Sequence, residues 1–298
     1  MKTKTKQAIT LLLIVASTTG AFAQSDAKAY VIFNKQGKEV SFKQMIKTLS
    51  EKRVVFFGEM HNCPISHWLE FETAKELYAR HQKGLVMGAE MFEADNQLIL
   101  NEYLQNDISE KSFESEMRLW PNYSTDYVKL VDFAKENAIP FIATNIPRRY
   151  AQIVSRKGFE GLNALSPEAR KYVSPLPIPY VEDSVKTKMF GQMMAMMGGQ
   201  SNKKQEFESQ AQAIKDAIMA WRIAQSLDAS VTCFLHFNGS FHSDNKDGII
   251  PFLHGYKDGL SVTTVSCCRQ DDLSRLDEEN YGRGDFMICI PADMVYSY

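Results

Sequence analysis

The chain has 298 residues and 44% hydrophobic content, with 34 Lys and Arg against 36 Asp and Glu for a formal charge of −2. That length can bury one sizeable core. The charge balance lacks the basic footprint of a nucleic-acid binder, so no nucleic acid is expected as a partner. Five cysteines (Cys63, Cys233, Cys267, Cys268 and Cys289) include no pair at zinc-ribbon spacing, and their odd number leaves at least one thiol unpaired within the chain. Three of them lie in strand-like apolar runs, where a buried free thiol is the expected state.

The first 23 residues read as a secretory signal peptide. Lys2, Lys4 and Lys6 form a basic start, Ala8–Ala16 is apolar, and Ala21-Phe22-Ala23 offers small residues at cleavage spacing. Gln24 stands where a lipid-anchor cysteine would follow, so the expected mature chain is exported, periplasmic or secreted, and soluble. No later stretch is apolar for long enough to span a bilayer.

Beyond Gln24, apolar runs alternate with helical patterns. The runs Tyr30–Phe33, Val54–Gly58, Leu85–Glu90, Pro140–Asn145, Val231–Phe237, Ser261–Ser266 and Phe286–Ile290 predict strands. Helical periodicity falls near Pro64–His81, Ala94–Leu104, Tyr123–Asn137 and Arg148–Lys157. Strand–helix alternation predicts an α/β fold with a mostly parallel central sheet covered by helices. A proline-rich break at Ser174–Pro179 precedes two further helical patterns, near Ser184–Met197 and Lys203–Leu227. These predict a single α/β domain over 24–298 with a helical insertion or lid at about 174–228.

Polar residues gather where these strands end. Val54–Phe57 runs into Gly58-Glu59-Met60-His61, Leu85–Ala89 into Glu90, and Phe141–Thr144 into Asn145 with Arg148 just beyond. Val231–Phe237 runs into Asn238 and then Gly239-Ser240-Phe241-His242. Ligands of open α/β sheets bind at the carboxyl ends of the strands, and imidazole serves there as metal ligand or as acid–base group. A lone residue of this kind is ordinary loop chemistry, so the convergence carries the reading. Glu59 reads otherwise as a cap or a solvated residue, and Asn145 before Pro147 reads equally as a helix cap. Arg148 reads otherwise as the partner of a buried carboxylate. His67, in the first turn of a helix, is expected at the surface. His236 falls inside a strand, and His81 and His254 near helix ends. Met189, Met193 and Met197 share one helical face, a soft apolar surface suited to core packing or to a ligand.

Taken together, these residues resemble the ChaN-type haem-binding uptake proteins of the Tiki/erythromycin-esterase-like superfamily. The resemblance rests on Gly58–His61, Ala89–Phe92, Trp120 with Tyr123, and Ile139–Arg148. It continues through Ala211-Gln212, Asp216–Ala220, and Asn238-Gly239 leading to His242. It implies an α/β fold with a helical insertion and a cleft lined by Glu59, His61, Glu90, Asn145, Arg148 and His242. It further implies haem as cofactor and a role in haem or iron uptake at the cell envelope. Homodimerisation through the lid and an outer-membrane uptake receptor are the partners it implies. Under this reading His61, His242, Asn145, Tyr180, Met193 and Met197 contact haem, with a tyrosine (Tyr150, Tyr172 or Tyr180) or a histidine on iron.

The same residues support a second function, a metal-dependent hydrolase or peptidase. There His61, Glu90 and His242 hold a divalent metal ion, Glu59 is general base, and Arg148 stabilises developing negative charge. A metal-free Glu/His acid–base site is a third form of the same chemistry.

Overall fold

The computed structural model describes residues 27–180 and 207–297. The first half contains β1 (Val31–Asn34), β2 (Glu39–Val40), α1 (Phe42–Leu49), β3 (Val54–Glu59), α2 (Pro64–His81) and β4 (Leu85–Glu93). It continues with α3 (Gln97–Leu104), α4 (Glu110–Glu116), α5 (Val128–Glu136), β5 (Phe141–Asn145), α6 (Arg148–Lys157) and α7 (Pro167–Arg170). The second contains α8 (Glu208–Ser226), β6 (Cys233–Gly239), α9 (Ile249–Tyr256), β7 (Val262–Gln270) and β8 (Phe286–Pro291).

The strands form one sheet in the order β2-β1-β8-β7-β3-β6-β4-β5. The six from β8 to β5 are parallel, while β1 pairs antiparallel with β8 and β2 with β1. The expected mostly parallel α/β architecture is therefore present. Its cause is visible in β3, whose alternate side chains serve two cores. Val55 and Phe57 pack with residues of α1, α2, α3 and α5 on one face. Val54 and Phe56 pack with Met219 and Ile223 of α8 and Ile250 and Leu253 of α9 on the other. All four are fully buried, each contributing about 1.5–3 kcal/mol.

The helix expected over Lys203–Leu227 appears as α8 and is a layer of the core. It buries Ile214, Ala217, Ile218, Met219, Ala220 and Ile223, because its apolar stripe is what covers that face of the sheet. The helix expected near Ser184–Met197 lies outside the described residues. Among the described residues, four helices join those expected from sequence: α1, α4, α7 and α9. Helix α1 starts with a capping box, in which Ser41 Oγ accepts from Gln44 N–H and Gln44 Oε1 accepts from Ser41 N–H.

Strand β4 carries an irregularity that matters for the cleft. Its pairing with β5 passes from Ala89↔Ala143 to Glu93↔Asn145, so four residues of β4 span two of β5. Such bulges re-aim side chains beside functional sites, and this one lies at Glu90.

Candidate functional site

Parallel packing brings the ends of β3, β4, β5 and β6 to one edge of the sheet. The two Gly-x-x-His tetrads meet there, and each glycine makes room for the other tetrad. A Cβ on Gly58 would lie 2.9 Å from Ser240 Cα, and one on Gly239 would lie 2.7 Å from His61 Nε2. Neither glycine has a positive φ, so close approach, not backbone conformation, requires them.

The first tetrad builds an imidazole–carboxylate pair. His61 Nδ1 donates to Glu59 Oε1 at 2.5 Å, and the Tyr127 hydroxyl donates to the same oxygen at 2.7 Å. Burial opposes ionisation of Glu59, but hydrogen bonds from His61 and His67 outweigh it and hold the carboxylate well below its usual range. The His61 ring stands edge-on to Trp120 at 5.0 Å between centroids, and its side chain is 37% exposed. Burial pulls its pKa down, the Glu59 contacts pull it up, and the net shift is upward. Nδ1 is thus fixed on a buried carboxylate while Nε2 faces the second tetrad at the cleft.

The second tetrad builds a different arrangement. His242 is buried with both ring nitrogens engaged, Nδ1 at 2.5 Å from Asp216 Oδ1 and Nε2 at 3.1 Å from Glu90 Oε1. Desolvation disfavours its charge, yet the two carboxylates push its pKa up to about 10. Glu90 Oε2 accepts from the Gly239 N–H at 2.9 Å. Burial works against its charge too, but the His242 cation holds it well below the ordinary carboxylate range. Asp216 moves the other way, raised chiefly by burial. The result is an internal ion cluster, Asp216–His242–Glu90, walling the cleft opposite His61.

The other expected residues are placed less centrally. Asn145 does not cap α6. Its Nδ2 donates to the Glu90 carbonyl at 2.9 Å, and its buried Oδ1 has no hydrogen bond among the described residues. Glu93 takes the capping role, accepting from Arg148 N–H at 3.0 Å, where a carboxylate also complements the helix dipole. The Arg148 guanidinium is 70% exposed, with Nε 3.7 Å from Glu93 Oε1. Tyr180 packs edge-on to Phe159 at 5.4 Å, in a cluster apart from the two tetrads. Tyr150 is buried, with Arg149 stacked 4.5 Å above its ring. Met193 and Met197 lie outside the described residues.

His67 departs from its expected surface position. It is 6% exposed, because the start of α2 tucks beneath β3, and its Nδ1 lies 3.0 Å from Glu59 Oε2 and 3.1 Å from Glu70 Oε2. Burial lowers its pKa, but these two glutamates push it up to about 11. His236 is buried and neutral, with burial pulling its pKa down to about 4. Its Nδ1–H donates to Asn238 Oδ1 at 3.0 Å and its Nε2 accepts from the Thr144 hydroxyl at 2.8 Å. Sequence reasoning assigned no role to Asp216, Tyr127, Glu93 or Glu70. The spacing of Gln212 and Asp216 on one face of α8, and of His67, Glu70 and Thr73 along α2, was the available signal.

The fold and cleft define an α/β protein whose ligand edge, at the carboxyl ends of parallel strands, is lined by imidazole–carboxylate pairs. The sequence profile described as "Haem-binding uptake, Tiki superfamily, ChaN" matches residues 45–253, and the chain belongs to that family. Among solved structures, cofacial-haem-bound ChaN of Campylobacter jejuni superposes with a TM-score of 0.66 at 17% identity, covering 90% of this chain and 97% of that one. The chloroplastic protein RETICULATA-RELATED 5 of Arabidopsis thaliana is 27% identical over 139 residues, 45% of this chain. The chain spans only 18% of that protein's length.

Proposed function

We propose that this protein binds haem in the cleft between the two tetrads and serves haem or iron uptake at the cell envelope, exported by residues 1–23. Family membership supports haem as the ligand. The observation that carries the site is His61, whose Nδ1 is held by the buried Glu59 carboxylate while Nε2 faces the cleft. That is how proteins orient an imidazole toward iron: a hydrogen bond at one nitrogen fixes the ring and raises the basicity of the other.

The surroundings fit a porphyrin. Trp120 and Met60 are half-buried beside His61, and Phe241 on the facing turn is 42% exposed. Arg148, exposed at the rim, suits a propionate. Bound haem would supply a Lewis-acidic iron, which His61 would hold. On sequence alone, Met193 and Met197 are proposed as further haem contacts, and the segment that carries them as a dimer contact. Tyr180, packed on Phe159, is a weaker candidate for holding the iron than His61.

A hydrolase is the second reading. One observation favours it: the Glu59–His61 pair is a positioned general base with its outer nitrogen toward the cleft. Its metal-free form fits better than a His61/Glu90/His242 metal site, because both nitrogens of His242 already face carboxylates.

Hemin titration of the protein starting at Gln24, followed by the Soret band, tests the proposal. Wild type should saturate with a shifted band, and His61→Ala should lose that band. An unchanged band in His61→Ala moves the iron ligand elsewhere. No saturable shift in wild type ends the haem reading and gives weight to esterase and peptidase assays.

A further inference from the structure

Beneath the cleft lies a polar cluster that shares Glu59 with the support of His61, while its other members have no part in ligand binding there. Glu59, His67 and Glu70 are 1%, 6% and 0% exposed, and one ligand atom from each lies within 4.8 Å of the others. His67 Nδ1 stands 3.0 Å from Glu59 Oε2 and 3.1 Å from Glu70 Oε2. A tetrahedral ion with bonds of 2.0–2.1 Å places neighbouring ligands about 3.3 Å apart, so the two separations from His67 Nδ1 need only a few tenths of an ångström of adjustment.

Two further observations point to a cation. His67 Nε2 donates to the carbonyl oxygen of His61 at 3.0 Å. That contact turns the Nδ1 edge toward the two carboxylates, which is how metal-bound histidines are held from behind. Second, Glu59 Oε2 and Glu70 Oε2 share the single Nδ1 of His67, and among the described residues Glu70 Oε1 is buried without a hydrogen bond, as is Thr73 Oγ1 one turn along α2. Buried polar atoms are nearly always satisfied. Two buried carboxylates sharing one imidazole nitrogen, with a further carboxylate oxygen unsatisfied beside them, mark a place for positive charge.

We propose that Glu59, His67 and Glu70 hold a divalent transition-metal ion of the zinc type, buried behind His61. In their ligating forms two carboxylates and a neutral imidazole carry −2, which a divalent ion balances. Imidazole with carboxylate suits zinc-like ions, and the compact spacing suits tetrahedral coordination. Glu59 is then a shared group. Its Oε1 receives His61 and Tyr127, while Oε2 faces the ion, so the metal braces the residue that aims His61. The site is separate from the ligand cleft and does not depend on haem being its ligand.

The rival occupant is hydrogen: protons distributed over His67 and Glu70. The test uses the purified chain from Gln24 without hemin. Zinc is measured after desalting, and zinc affinity is read by chelator competition in wild type, Glu70→Gln, His67→Gln and His61→Ala. Wild type should hold one zinc per chain. Glu70→Gln and His67→Gln should weaken zinc at least about tenfold, since even outer-shell partners are worth about 10–100-fold. His61→Ala should retain it. Zinc added to metal-stripped wild type should raise its thermal midpoint, a readout that needs no variant. Absence of both bound zinc and thermal stabilisation would overturn the proposal in favour of protons. Equal loss in His61→Ala would also overturn it, by placing the ion in the cleft.

Discussion

Replacing Gly239 with alanine tests the interlocking of the tetrads. Gly239 has φ −54° and ψ 137°, which alanine adopts freely, so the perturbation is steric. The new methyl would lie 2.7 Å from His61 Nε2 and 2.9 Å from its Cε1, against an ordinary contact of 3.4–4 Å. The ring must retreat by about 0.7 Å, the shortfall from the near edge of that range. Its other side is held by Trp120 and by the 2.5 Å bond to Glu59, so the retreat strains or breaks that bond. Hydrogen bonds to charged groups contribute about 1.5–3 kcal/mol, which corresponds to roughly tenfold to a hundredfold in affinity for a ligand that needs His61 in place. Hemin titration of wild type and Gly239→Ala, with urea unfolding run alongside, measures both effects. The expected result is weaker hemin binding in that range and a stability loss no larger than the bond itself. Unchanged hemin affinity with lowered stability would refute His61 as the haem ligand. No change in either would show that Gly239 does not hold the ring.

With metal stripped from the protein, stability should depend on pH with its maximum on the acid side of neutrality. His67 and His242 have folded pKa values of about 11 and about 10 against an ordinary 6.5, so their stabilisation is full below pH 6.5 and is lost as pH rises through the folded values. Glu59 and Glu90, held below the ordinary 4.5, stabilise above pH 4.5 and lose that as pH falls. The raised Glu70 and Asp216 push the optimum toward the acid end of that window. Thermal midpoints should peak between pH 4.5 and 6.5 and fall from pH 7 to 10, and a flat profile over that upper range contradicts the two ion clusters. Tyr127→Phe removes the hydroxyl on Glu59 and should cost about 1.5–3 kcal/mol by urea unfolding; a loss under about 0.5 kcal/mol, the scale of an ordinary surface change, would show that the Tyr127 bond to Glu59 is dispensable. Thr144→Val leaves His236 Nε2 buried and unpaired, and should cost about 1–3 kcal/mol in the same assay. Met193→Gln with Met197→Gln should weaken hemin binding while leaving zinc retention unchanged, and equal weakening of both would remove the porphyrin-facing role of that segment.

The sheet was legible because its strands are buried on both faces. Unbroken runs such as Val54–Phe57 have no other economical reading in a chain that alternates them with helices. Four cleft residues were legible for a related reason: strand ends are where polar groups can be both fixed and accessible, and Glu59, His61, Glu90 and His242 all follow such runs. What supports them was harder to see. Asp216 and Tyr127 sit on helices that touch the cleft only through tertiary packing, so local pattern gives them no distinction. His67 read as a surface residue because a polar side chain in a first helical turn usually is one. Its burial follows from the short link of four residues between the end of β3 and the start of α2, which folds that turn back under the strand. Asn145 shows the opposite failure: its spacing from Pro147 mimics a cap, but Glu93, 52 positions earlier in the chain, supplies the contact.

Strand β3 also has a history in time. Its two neighbours in the sheet, β6 and β7, begin at Cys233 and Val262. During synthesis Val54-Val55-Phe56-Phe57 is therefore made long before either of its partners exists. It emerges as an apolar, uncharged strand with both edges open, the sequence type that self-associates most readily. The strand that delivers Glu59 and His61 thus keeps both edges open until β6 and β7 are made, and calls for a holding chaperone meanwhile.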